Sequence, residues 1–320
     1  MIVPARFVDE LIAAEGDAAR AWIAELPALA ERYLRRWRLT PTGEPMHGFA
    51  AIVLPVRLAA GATGAADATG TTSANGANGA VGGDGTADAV LKLGWPHPES
   101  EHEALALRVW DGHGAVRLLD CDEAGGALLL ERLDSAVSLL SLEPCAATTV
   151  LAELLRRLAV PAPDGLRSMA ANAARWRHEL PAESARLGDS VPRRLLDAAV
   201  ATCAMLGPTA GTAMVNEDLH YANVLRGERE PWLVIDPKVL AGDPEYGVIP
   251  MLWNRFDETG GTAGLDERFD TIVSTAGLDA ELARGWTLVR AVDNWLWELE
   301  HGGFPEARSL AAIAWWAAIG

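Results

Sequence analysis

Residues 213–237 read AMVNEDLHYANVLRGEREPWLVIDP, and this stretch decides how the rest of the chain is understood. It predicts a β-rich island: a short strand (AMV), a loop (NEDLHYAN), a strand (VL), a turn (RGEREP) and an apolar strand (WLVID). Asp218 and Asn223 stand five positions apart in the loop, and Asp236 is expected to end the last strand. Asp and Asn favour turns for local reasons, so any one of them alone says little. Together the three offer a specific chemistry. One carboxylate can accept or orient a hydroxyl proton, while an amide oxygen and a second carboxylate supply hard ligands to magnesium beside phosphates. The D-x-x-x-x-N spacing is that of the protein-kinase catalytic loop.

Outward from the island, helical periodicity covers 146–158, 166–180, 192–206, 279–299 and 306–318. The N-terminal part reads differently. A helix over 7–38 is followed by the turn-rich TPTGEPMHG, strands at 49–58 and 90–95, a helix over 99–110 and two strands within 116–134. This order predicts an α+β, two-lobed architecture, with a β-rich lobe over 1–134 and a helical lobe over 135–320. Residues 59–89 contain only Ala, Gly, Thr, Asn, Asp, Ser and one Val. They have almost nothing to bury and read as a flexible low-complexity insertion in a hairpin.

Lys92 interrupts the apolar strand VLKLGW, and Glu101 and Glu103 lie on the next helix. A strand lysine upstream of such an island is placed to bind nucleotide phosphates, with a helix carboxylate fixing its ammonium. Glu103, which shares a helical face with Leu107, is the expected partner, and Glu101 is the alternative. His220 and Tyr221 read as structural members of the loop. Lys238 is open between a phosphate contact and a solvated role. On the helix around 286–300, Asp293, Trp297 and Glu300 share a face that would suit a cationic, ring-bearing acceptor.

Bulk properties narrow the classes. The chain has 320 residues, half of them hydrophobic, and a formal net charge of −17. Nucleic acid is excluded as a partner, because phosphate backbones need a basic surface. An acidic field instead attracts cationic small molecules. The three cysteines are far apart and the histidines scattered, so zinc and a disulfide framework are not expected. No run of about 18 apolar residues occurs, so no membrane span is expected. The first residues lack the basic start and unbroken apolar core of a signal peptide, which places the chain in the cytoplasm. The sequence does not indicate an oligomeric state.

In MHGFAAIVLPVRL, VLKLGWPHPESEHEALALRVW, LLLERLD, NEDLHYANVL, EPWLVIDPKVLAGDPEYG and WTLVRAVDNWLWELE the chain resembles the aminoglycoside phosphotransferase class of kinases. It is most similar to the streptomycin 6-phosphotransferase and hydroxyurea phosphotransferase branch. The resemblance implies a bilobal protein-kinase-like fold, use of ATP and Mg2+, and a small-molecule hydroxyl acceptor of aminoglycoside or hydroxyurea type. The implied outcome is antibiotic resistance or modification of a metabolite. It further implies Asp218 as catalytic base, Asn223 and Asp236 as magnesium ligands, and Lys92 on the nucleotide phosphates. LLLERLD would be the hinge, with the main chain of Glu131 and Leu133 on the adenine edge. The pattern departs at Asn216-Glu217, where the class usually has H-G, and only Gly43 and Gly48 stand in for a glycine-rich loop. No D-F-G or A-P-E follows, which favours a small-molecule over a protein substrate. A sugar or amino-sugar kinase, or a nucleotide-binding pseudokinase, are the alternatives.

Overall fold

An antiparallel sheet and a long helix make the first unit. The computed structural model describes residues 3–59, 87–98 and 100–319, with the side chains of 304 and 305 excepted. The chain divides into two units, Met1–Leu133 and Asp134–Gly320. Most of the low-complexity insertion, residues 60–86, lies outside the described residues.

The first unit runs α1 (Ala5–Arg36), β1 (Leu39–Pro41), β2 (Met46–His47), β3 (Ala51–Leu58), β4 (Ala87–Gly94), α2 (Glu103–Trp110), β5 (Leu118–Asp122) and β6 (Ala127–Glu131). The sheet order is β1-β3-β4-β6-β5, with β2 also on β3. Strand β4 is central, so Lys92 lies between Val53 of β3 and Leu128 of β6. Phe7, Leu11, Leu26 and Tyr33 of α1 share a core with Ile52, Leu54, Leu91, Leu93 and Leu129 of the sheet. Burying a leucine of this kind contributes about 2 kcal/mol. Helix α1 is broken at Gly16, whose φ of 68° is open to glycine at little cost. Its far end is fastened to the β5–β6 turn: the Tyr33 hydroxyl donates to Asp122 Oδ2 at 3.0 Å, and Arg36 pairs with the same carboxylate.

The second unit runs β7 (Asp134–Ser138), α3 (Pro144–Leu158), β8 (Val160–Pro161), α4 (Met169–Arg186), α5 (Arg193–Leu206), β9 (Ala213–Asn216), β10 (Val224–Arg226), β11 (Trp232–Val234), β12 (Val239–Gly242), α6 (Ile249–Trp253), α7 (Leu265–Ala276), α8 (Ala280–His301) and α9 (Phe304–Ile319). Two small sheets, β11-β10-β7 and β12-β9-β8, carry the loops of the island. Helix starts follow local chemistry: Ser168 and Asp279 accept backbone N–H groups as N-caps of α4 and α8, and Pro144 occupies the first turn of α3.

Several sequence expectations shift. The helix expected over 99–110 begins at Glu103, and α4 occupies 169–186 instead of 166–180. Strand β11 stops at Val234, so Asp236 lies two residues beyond the strand and not at its end. Strand β12 and helices α6 and α7 were not expected. The α7 signal was present: Leu265, Phe269, Ile272 and Ala276 recur at helical spacing and are all buried, and Gly277 follows in the left-handed conformation.

Candidate active site

The loop between β9 and β10 is built by short-range hydrogen bonds. Asn216 ends β9, opposite Val239 of β12. Its side-chain oxygen accepts from the N–H of Asp218 at 3.1 Å and of Lys238 at 3.3 Å. Asn223 Nδ2 donates to the Asp218 carbonyl at 3.2 Å, which ties the two ends of D-x-x-x-x-N together. The Asn223 carbonyl in turn accepts from Ile235 N–H at 2.9 Å, drawing the β11 exit onto the loop. The five-residue spacing is therefore the closure of one turn, and Asp236 arrives beside it.

Asp218 is partly accessible. Its carboxylate faces Lys238 Nζ at 3.4 Å and His220 Nε2 at 3.8 Å. His220 Nδ1 accepts from Ala222 N–H at 3.3 Å, so the neutral ring carries its proton on Nε2, toward Asp218. Burial lowers the His220 pKa, with Lys238 adding to the effect and Asp218 opposing it, which favours that neutral form. Tyr221, fully buried, bonds Thr148 at 2.8 Å and the Met251 carbonyl at 3.2 Å, anchoring the loop from below.

Asp236 has φ of +50°. Asp enters the left-handed region more readily than most residues, but at about 1–2 kcal/mol, and strain of this kind collects at functional positions. Asn223 and Asp236 suit magnesium. The Asn223 nitrogen is spent on Asp218, which leaves its amide oxygen as the atom that could serve as a hard donor, and Mg2+ is commonly held by one or two protein oxygens together with phosphates and water. Such a donor set does not suit zinc.

In the first unit, Lys92 Nζ donates to both carboxylate oxygens of Glu103, at 2.7 and 2.6 Å. Both residues are buried, at 7% and 4% exposure, whereas Glu101 is exposed and in no helix. Glu131 lies at the end of β6, opposite Ala89. Its N–H is taken by the Arg117 carbonyl at 3.0 Å and its side chain by Arg117 N–H at 2.7 Å. Any main-chain contact from Glu131 to an adenine edge would thus use its carbonyl. Leu133 is half-buried and lies outside any strand.

The three residues expected on one face of α8 have separate surroundings. Asp293 keeps some accessible surface, yet its carboxyl is desolvated, and burial pushes its pKa up to about 7. Trp297 is 53% exposed and stacks on His301. Glu300 is held by both terminal nitrogens of Arg186 at 2.9 Å. Sequence reasoning missed the charged surroundings of Glu217: its carboxylate pairs with Arg167 and meets the Tyr246 hydroxyl at 3.5 Å. Arg167 lies just before α4, in a stretch that the periodicity assigns to that helix, and a helical period does not name a partner 50 positions away.

Comparison with known proteins gives a consistent picture. A family model described as aminoglycoside/hydroxyurea antibiotic resistance kinase matches residues 36–302. The chain is 43% identical over 325 aligned positions to a hydroxyurea phosphotransferase of Kitasatospora aureofaciens, covering 98% of this chain and 84% of that protein. It is 41% identical to a streptomycin 6-kinase of Streptomyces glaucescens, covering 92% and 91%. Among solved structures, an aminoglycoside phosphotransferase in ternary complex with ADP and hygromycin B superposes with a TM-score of 0.54 at 14% identity, covering 90% of this chain and 97% of that one. That likeness shows a protein-kinase-like fold.

Proposed function

Since the chain belongs to the aminoglycoside/hydroxyurea antibiotic resistance kinase family of small-molecule phosphotransferases, we propose that it transfers the γ-phosphate of magnesium-ATP to a hydroxyl of a cationic, streptomycin-like aminoglycoside. The observation that carries the reading is the closed Asp218–Asn223 turn with Asp236 drawn beside it. Asp218 accepts the proton of the acceptor hydroxyl as its oxygen bonds to phosphorus and the bond to the ADP oxygen breaks. Asn223 and Asp236 would hold magnesium, which when bound neutralises phosphate charge during transfer. Lys92, fixed by Glu103, would bind the nucleotide phosphates, and the main chain around Glu131 and Leu133 the adenine edge.

A cationic acceptor is favoured over neutral hydroxyurea by the carboxyl groups of α4 and α8. Glu183 lies near Glu179 and Glu300, and Asp293 near Glu183; desolvation first, and these like charges in addition, raise the pKa of Glu183 and Asp293, with neighbouring arginines opposing them. The net charge of −17 has the same sense. The departure from H-G-D does not argue for a pseudokinase, because the charge of Glu217 is compensated by Arg167.

The test is a panel assay with ATP, magnesium and streptomycin, other aminoglycosides, hydroxyurea and amino sugars, the products being read by mass. Phosphorylated streptomycin, abolished in Asp218→Asn, is the expected result. Phosphorylation of hydroxyurea or an amino sugar alone would replace the acceptor class, and full turnover in Asp218→Asn would overturn the role of the base.

A further inference from the structure

The residue before Asp218 is tethered at every polar group the loop offers. Glu217 N–H donates to the Lys238 carbonyl at 2.8 Å, and the Glu217 carbonyl accepts from Arg290 Nη1 at 2.8 Å. Its carboxylate takes Arg167 and the Tyr246 hydroxyl. These partners come from the β11–β12 connection, the middle of α8, the segment before α4, and the short 3-10 turn Pro244–Val248.

Each partner is itself held. The Arg167 carbonyl accepts from Ala241 N–H of β12 at 2.8 Å. Tyr246 is buried against Trp176 and Trp286, with ring centroids 6.1 and 6.0 Å away, and Arg290 lies over the Tyr246 ring at 4.6 Å.

The Glu217 carbonyl belongs to the same planar peptide as the Asp218 N–H. Arg290 grips one side of that plane and Asn216 Oδ1 the other. With this plane held, and the next one held where the Asp218 carbonyl accepts from Asn223 Nδ2 at 3.2 Å, the two backbone rotations of Asp218 are restricted, and with them the direction in which its side chain leaves the backbone. The Glu217–Arg167 pair braces the plane from the side chain.

Stability alone does not account for this arrangement. An ion pair in such a place is often matched or bettered by apolar residues of similar volume. Arg167 Nε is also buried with no hydrogen-bond partner among the described residues, an added cost. Folds break local rules of this kind chiefly at functional sites.

We propose that Glu217 and Arg167 are a positioning pair for Asp218, with Arg290 as the third fixing point. Glu217 therefore replaces the small residue usual at this position with a brace that ties the catalytic loop to the segment before α4. The inference rests on the reading of Asp218 as base.

The experiment is a mutational cycle of Glu217→Gln and Arg167→Met, singly and together, in wild-type and Asp218→Asn backgrounds. Phosphotransfer, residual ATP hydrolysis and Tm are measured well below the melting range. Each single variant should lower kcat about 10–100-fold, the scale of a roughly 1 Å misplacement, with the KM for ATP nearly unchanged. The double variant should fall no further, because the pair acts as a unit. In the Asp218→Asn background Glu217→Gln should cost less than about twofold, since nothing remains to be positioned. Arg167→Lys, which keeps the cation but not its fork, should fall between wild type and Arg167→Met. Wild-type kcat in both Arg167 variants with a lowered Tm would reduce the pair to packing. An equal loss with and without the Asp218 carboxylate would also overturn the proposal. A wild-type protein that phosphorylates none of the panel would refute the acceptor reading instead, and the cycle would then be scored on ATP hydrolysis.

Discussion

The ammonium of Lys238 stands 3.4 Å from Oδ2 of Asp218, two residues after Asp236. The Pro237 between them and the bond from Lys238 N–H to Asn216 Oδ1 hold its backbone in place. If Asp218 is the base proposed above, a cation this close to it would lie beside the phosphoryl group being transferred.

Lys238→Met is therefore expected to lower kcat by about tenfold or more, the scale of losing one charge contact at a transferring group, with Lys238→Arg intermediate. Steady-state kinetics with the acceptor and ATP varied in turn decide it. Unchanged kcat in Lys238→Met would leave the lysine as a solvated neighbour.

The Lys92–Glu103 pair allows stability and nucleotide binding to be separated. Lys92→Met removes the cation that donates to both Glu103 oxygens; breaking a buried pair from one side costs about 3–5 kcal/mol and should lower both Tm and affinity for ATP. Adding Glu103→Leu should recover most of the Tm, because two apolar side chains can replace a buried pair. The affinity for ATP should stay low. Recovery of both, followed by calorimetry and thermal melting, would mean that Lys92 has no part in binding phosphate.

Asp236 sits at φ +50°. Asp236→Gly should melt at or above Asp236→Ala, because glycine relieves the left-handed strain, by about 1 kcal/mol. Both should need far more magnesium for nucleotide binding, since each removes the carboxylate. Magnesium titrations that superimpose on wild type would remove Asp236 from the metal site.

Asp293 gives a pH signature. Its carboxyl pKa is raised in the folded chain, from 3.8 to about 7, chiefly by desolvation. The folded form thus binds a proton that the unfolded form has released, so stability falls as pH rises through that window. Relative to wild type, Asp293→Asn should gain Tm progressively from about pH 4 to about pH 7 and hold a constant advantage above that. A Tm difference that does not vary with pH would mean that the carboxyl titrates normally.

The β-rich and helical halves, the closeness of Asn223 to Asp218 and the Lys92–Glu103 pair were legible in the sequence, because each is written locally, as a period or a fixed spacing. Residues joined only by the fold were not legible in the same way. Arg167 and Arg290 reach Glu217 from 50 and 73 positions away, and neither position has a pattern that names its partner. The surroundings of the α8 face were not legible for a related reason. Helical spacing places Asp293, Trp297 and Glu300 on one side of the helix, but it does not say that Glu300 is held by Arg186 of α4 or that Asp293 is desolvated. Helix α7 is the opposite case: Leu265, Phe269, Ile272 and Ala276 write its buried face locally, at helical spacing.

The fastening of α1 by Tyr33 and Arg36 to Asp122 has a practical consequence for fragments of this protein. Tyr33 is wholly buried, and α1 covers one face of the β1-β3-β4-β6-β5 sheet with Phe7, Leu11 and Leu26. A chain trimmed to begin after Arg36 would lay bare Ile52, Leu54, Leu91 and Leu93 as one contiguous greasy surface, of the kind that drives aggregation. Insolubility of such a fragment would report the loss of this cover and say nothing about the catalytic half. Soluble expression of either unit alone should therefore be attempted with α1 retained on the first.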